Sequence, residues 1–104
     1  MKTRWEPRVT LGPASVLDIG GEVGAVVVTL AANTPSGELE ACPQDEPEAR
    51  FHTGVHHRPL GDESVWVAVF PEVAEGSYYL LDDNGLPMAG VTVVGGQVEQ
   101  LDLR

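Results

Sequence analysis

A single cysteine, Cys42, stands in this 104-residue chain, so no internal disulfide can form. A secreted scaffold stapled by disulfides is thereby excluded, and a reducing, cytoplasmic setting is the expectation. Lysine is equally scarce. Lys2 is the only one, and with five arginines it faces sixteen Asp and Glu, for a formal charge of −10. A surface this negative repels phosphate backbones and anionic headgroups, so neither nucleic acid nor a membrane is an expected partner. Long apolar runs are missing too. The longest, Gly24–Ala32, is nine residues interrupted by Thr29, against about 20 for a membrane-spanning helix. No cationic start followed by an apolar core and a small-residue cleavage site opens the chain, so no secretory leader is expected.

What is present favours strands. Apolar residues make up 42% of the chain, enough for a packed core, and the length fits one domain over 1–104. Valine occurs fifteen times, and glycine and proline together twenty times, a mixture of β-branched residues and turn formers. No window carries the i, i+3, i+4, i+7 apolar pattern of a capped helix. Nine runs read as candidate strands: Trp5–Leu11, Ser15–Ile19, Ala25–Leu30, Glu38–Cys42, Ala49–His57, Val65–Phe70, Ser77–Asp82, Met88–Val94 and Gln97–Leu103. Seven or eight mostly antiparallel strands drawn from these predict a single all-β sandwich, of which the immunoglobulin-like layout is one form. Pro7 confines the first run to an edge strand or to an irregular arm over 1–13.

Turn chemistry sets the connections. Asn84-Gly85 predicts a hairpin between Tyr78–Leu81 and Met88–Val94, and Gly95-Gly96 predicts another between Val91–Val94 and Val98–Leu103. The candidate core comprises Val16, Leu17, Val26, Val28, Leu30, Leu39, Phe51, Val55, Val67, Val69, Phe70, Tyr78, Leu80, Val91, Val93 and Leu101. In the run Val65–Phe70 the three valines face one way and Trp66, Ala68 and Phe70 the other. Both faces are apolar, so one needs cover from a loop, the N-terminal arm or a second subunit, and a homodimer through that face is one expectation.

Residues 70–78 read Phe-Pro-Glu-Val-Ala-Glu-Gly-Ser-Tyr, and the chain closes through Val-Thr-Val-Val-Gly-Gly-Gln-Val-Glu-Gln-Leu-Asp-Leu. This resembles the closing strands of transthyretin-like (prealbumin-like) sandwiches, such as carboxypeptidase regulatory-like and collagen-adhesin B-type domains, with Phe70, Val73, Gly76 and Tyr78 in the places of their F-x-x-[LV]-x-x-G-x-Y corner. The resemblance covers about a third of the chain and implies a fold rather than a function. On physical grounds Gly76 suits a tight turn, and Tyr78 can bury its ring while its hydroxyl bonds a turn carbonyl. The central pattern His52-Thr53-x-Val55-x-x-Arg58, followed by Val67-Ala68-Val69-Phe70-Pro71, resembles small bacterial proteins of uncharacterised activity. Two active relatives do not fit. Hydroxyisourate hydrolases end in Tyr-Arg-Gly-Ser, whereas this chain ends Gln100-Leu101-Asp102-Leu103-Arg104. Isopeptide-forming adhesins need a lysine on an early core strand, and Lys2 does not supply it.

The distribution of charge singles out one segment. Residues 9–49 and 59–103 hold no Lys or Arg, while Arg50, His52, His56, His57 and Arg58 fall together as a cationic island. Pairing Glu38–Cys42 antiparallel with Ala49–His57 at a residue sum of 92 puts Leu39, Ala41, Phe51 and Val55 inward. Glu40 then opposes His52, Cys42 opposes Arg50, and Glu38, Glu40, Cys42, Arg50, His52, His56 and Arg58 share the outer face. A histidine beside a glutamate suits acid–base work, because the carboxylate holds the ring near neutral pKa, but the same pair is ordinary on a solvated sheet. His52 and His56 lie about 13 Å apart along a strand, too far for one metal ion, so only His52 with Glu40 and Cys42 can begin a site, completed by another subunit.

No cofactor is expected. Cys42 sits near the histidines without a nucleophile motif, and no serine lies in a G-x-S-x-G elbow. Leu17-Asp18-Ile19-Gly20-Gly21 resembles a phosphate-binding turn but lacks the α/β scaffold such turns need, and Asp82-Asp83-Asn84-Gly85 lacks the ligands of a calcium loop. The leading expectation is a non-enzymatic binding or protein-interaction module, self-associating or partnered. The alternative is a small enzyme or metal protein around His52 and Glu40. Any small ligand of the outer face is expected to be anionic and held by Arg50, His52, His56 and Arg58, unless Glu38 and Glu40 satisfy those cations internally.

Overall fold

A computed structural model describes residues 19–31 and 37–104. The expected strand 5–11, nearly all of 15–19, and core positions Val16 and Leu17 lie outside the described residues. Seven strands and no helix occupy the rest: β1 Val23–Leu30, β2 Glu38–Pro43, β3 Phe51–Leu60, β4 Glu63–Ala74, β5 Gly76–Leu81, β6 Pro87–Val93 and β7 Val98–Asp102. The β-branched runs became strands, and the glycine and Asn-Gly clusters became their turns. The Asp82–Gly85 turn is closed by Gly85 N donating to Asp82 O, while the Asp82 carboxylate accepts from the amides of Asn84 and Leu86. That carboxylate is spent on its own turn.

The strands follow one continuous order, β6-β5-β2-β3-β4-β1-β7, antiparallel throughout except where β7 lies parallel to β1. The all-β expectation holds, but two separate packed sheets are not clearly present. The sheet instead rolls into a nearly closed barrel, because β3 serves both halves: Phe51–Gly54 pair with β2 and Val55–Leu60 with β4. At the change of partner, Thr53 Oγ1 donates to Val69 O at 2.7 Å and Val55 N donates to Gly37 O. β4 outgrows its apolar run for a similar reason, since Glu63–Ala68 pair with β3 and Trp66–Ala74 with β1, only Trp66–Ala68 being flanked on both sides.

The expected hairpin at Gly95-Gly96 does not form. The chain does reverse there, with Gln97 N donating to Val94 O. Gly96 N then donates to Val23 O, and Gln97 O accepts from Ala25 N, so β7 is drawn onto β1 and not back onto β6. Close approach makes this corner possible. A Cβ at Gly24 would lie 2.6 Å from Val94 O and 2.9 Å from Gln97 O.

Inside the barrel sit Val26, Val28 and Leu30 of β1, Leu39 and Ala41 of β2, Ala68 and Phe70 of β4, Tyr78 and Leu80 of β5, and Val91 and Val93 of β6. Val67 and Val69 were expected among them. They take the opposite parity and are half-buried on the outer side, while Ala68 is the inward residue. The outer face of β1 and β4 is nevertheless not an open apolar surface, since Ala25, Val27 and Val65 are also buried.

The tyrosine corner is built as the sequence suggests. Gly76 takes φ +150°, Tyr78 is buried, and its hydroxyl donates to Ala74 O at 2.6 Å. Phe51 meets Phe70 and Tyr78 edge-on, with ring centroids 5.4 and 5.7 Å away. Edge-on pairs of this kind contribute about 0.5–1.5 kcal/mol each beyond the area they bury.

Candidate functional site

β2 and β3 carry the site through their register. The observed pairs run from Glu38↔Gly54 to Ala41↔Phe51, so Glu40 does oppose His52. Alternation then puts Glu38, Glu40 and His52 on the outer face. The side chains couple diagonally, however. Arg50 Nη1 lies 3.4 Å from Glu40 Oε1, and His52 Nε2 lies 3.6 Å from Glu38 Oε2, with all four side chains exposed. Exposed pairs at these separations contribute at most about 1 kcal/mol each. Arg50 also lies over the β5–β6 turn, where a Cβ at Gly85 would come 3.1 Å from its Nη1. Sequence reasoning missed that neighbour, because it is set by β5 pairing with β2.

The far half of the island is arranged differently. His56 is exposed and stands over Gly54, and Arg58 is half-buried. Cross-strand from Val67 and Val65, they keep the outer parity. Arg58 Nη1 donates to His57 O at 3.2 Å, and its Nε, shielded from solvent, has no acceptor among the described residues. No acidic side chain among the described residues pairs with either group. His57 turns to the opposite face, its ring 5.2 Å from Trp66. The structure thus divides the predicted set into two residues with a carboxylate partner, Arg50 and His52, and two with none among the described residues, Arg58 and His56.

Cys42 has the outer parity but is buried, at 3% exposure. β2 lies between β3 and β5 in the middle of the order, so its small outward side chains are shaded by neighbours on both sides. Its thiol is therefore withdrawn from the partial metal site that sequence allowed. Among the described residues no three His, Cys, Asp or Glu side chains come together as a metal-holding group.

A cleft of about 390 Å³ opens elsewhere, between Pro43–Asp45 and Glu75–Tyr78, and no predicted site residue lines it. Its charged walls are Asp45 and Glu75, and Glu75 already accepts from Gly95 N at 3.0 Å. The Tyr78 hydroxyl beside it is pushed above its ordinary pKa, chiefly by burial and then by the charge of Asp45. The stretch from the end of β2, Pro43-Gln44-Asp45-Glu46-Pro47-Glu48, is acidic and punctuated by proline. No protein-family model matches the chain, and no curated protein or solved structure matches it either.

Proposed function

We propose that this chain is a non-enzymatic binding or protein-interaction module whose outer β3 surface takes an anionic group between His56 and Arg58. The observation that carries this is the division of the island: Glu40 and Glu38 occupy Arg50 and His52, while His56 and Arg58 pair with no acid among the described residues. Two residues apart on one face of a strand, they stand about 7 Å from each other, a span that a carboxylate or phosphate can bridge. Arginine offers a forked, permanently charged donor, and histidine adds charge as pH falls through about 6.5. The acid–base alternative has less support, since the Glu40 carboxylate turns to Arg50 and His52 lies open to solvent. Kinship with transthyretin-like domains is likewise proposed, supported by the Phe70–Tyr78 corner.

The test is a titration with acetate and with inorganic phosphate, followed through the histidine ring resonances. The His56 resonances should shift on addition of either anion. Arg58→Ala should remove the shift, and Arg50→Ala should leave it. Ring resonances unmoved by either anion at every pH would overturn the reading.

A further inference from the structure

The exposed large apolar side chains of the described residues, Leu86 at 59%, Met88 at 37% and Val94 at 42%, all lie on β6 or at its ends. β6 is also an edge strand of the described sheet. From Leu86 to Val98 the chain carries no charged residue for thirteen positions, despite its total of −10. Edge strands are normally guarded by charge, because their free backbone groups accept other strands.

The ladder shows which groups have no partner among the described residues. Gln44 N donates to Ser77 O, so the backbone groups of Ser77 turn toward the β2 side of β5. Alternation then turns Tyr78 and Leu80 toward β6, where they meet Val91 and Ala89. Gly90 and Thr92, between and beyond those partners, direct N–H and C=O away from β5 to the open edge. The usable edge is short. Pro87 and the irregularity opposite Leu80/Leu81 bound it at the start, and the Val94–Gln97 turn bounds it at the end.

We propose that this edge is a homodimer seam, in which β6 pairs antiparallel with β6 of a second copy about a two-fold axis at Gly90. In that register Gly90 faces the partner's Gly90, Met88 faces the partner's Thr92, and Leu86 comes opposite the partner's Val94. The pairing joins free donors to free acceptors and covers the exposed apolar side chains together. Charge selects a second copy as the occupant. An ionic partner finds nothing to pair with on a neutral strand, whereas two acidic chains can meet where neither brings charge. Two acids close to its ends are held by backbone amides, Asp82 by Asn84 and Leu86, and Glu75 by Gly95, and Asp83 lies in the turn before Leu86. This seam replaces the β4 face as the route to a dimer and does not depend on anion binding at Arg58.

Sedimentation of the full chain from about 5 to about 500 µM tests it, since a seam this small belongs to the transient class of interface. The mass should move from monomer toward dimer, more completely at about 0.5 M than at about 0.05 M NaCl, because salt screens the repulsion of two acidic chains. Thr92→Lys should weaken association at least tenfold, and Gln100→Lys on the other edge should leave it unchanged. Should Thr92→Lys fail to fold, the wild-type amides decide: Gly90 and Thr92 should gain exchange protection as concentration rises. A monomer at every concentration and salt, equal effects of the two lysines, or no gain of protection at Gly90 and Thr92 would each overturn the proposal.

Discussion

β7 ends the sheet on one side with five residues, of which Glu99 and Asp102 are acidic, and β6 ends it on the other with seven residues and no charge. β7 is further tied down beyond its last residue. Leu103 N donates to Thr29 O, and Arg104 grips Asp102 at 2.7 Å. Among the described residues the barrel therefore carries one guarded edge and one bare edge, joined by a four-residue turn. A nearly closed barrel hides most of its backbone by curvature, and only the side left unzipped needs protection in sequence. β7 has that protection and β6 does not.

The corner that brings the edges together is where the comparison breaks most easily. A Cβ at Gly95 would run into Gly21 O and come within 2.9 Å of Glu22 Cα. Gly95→Ala should therefore cost about 3 kcal/mol, read from urea unfolding. A loss under about 0.5 kcal/mol would show that the corner yields freely. Tyr78→Phe strikes the β5 side, leaving Ala74 O without its donor, and should cost about 1–2 kcal/mol in the same assay. Arg50→Ala removes an exposed pair with Glu40 and should cost no more than about 1 kcal/mol, with the loss shrinking in salt.

The smallest effect belongs to the guarded edge. Arg104 holds the Asp102 carboxyl at about 2, below its ordinary 3.8, mainly by hydrogen bonding. A depressed carboxyl contributes stability that is whole above the unfolded value and is lost as pH falls through the folded one. Asp102→Asn should thus change thermal stability above about pH 4 slightly and flatten its decline between about pH 4 and about pH 2. An unaltered decline would remove the Arg104 pairing from the account.

The sequence could be read wherever one face was apolar and the other charged. The inward parity of Leu39, Ala41 and Phe51 was readable, and the observed β2–β3 register places Glu40 opposite His52 as read. The Tyr78 corner was legible for a similar reason, since Gly76 and the buried ring are local requirements. Legibility failed where the choice was global. Gly95-Gly96 announces a reversal but cannot say that Val23 and Ala25 will capture the returning chain. Val67 and Val69 lie in a run that is apolar on both parities, so no pattern could tell inside from outside. The split between paired and unpaired cations was equally hidden, because it depends on diagonal reach across β2 and β3 and on where β3 changes partners.

Residue-resolved amide exchange along β6 in a dilute, monomeric sample tests the unequal edges most directly. The amides of Ala89, Val91 and Val93, bonded to β5, should be protected, and those of Gly90 and Thr92 should exchange with solvent. If Gly90 and Thr92 are as protected as their neighbours in the monomer, the barrel is closed between β6 and β7, and the bare edge does not exist.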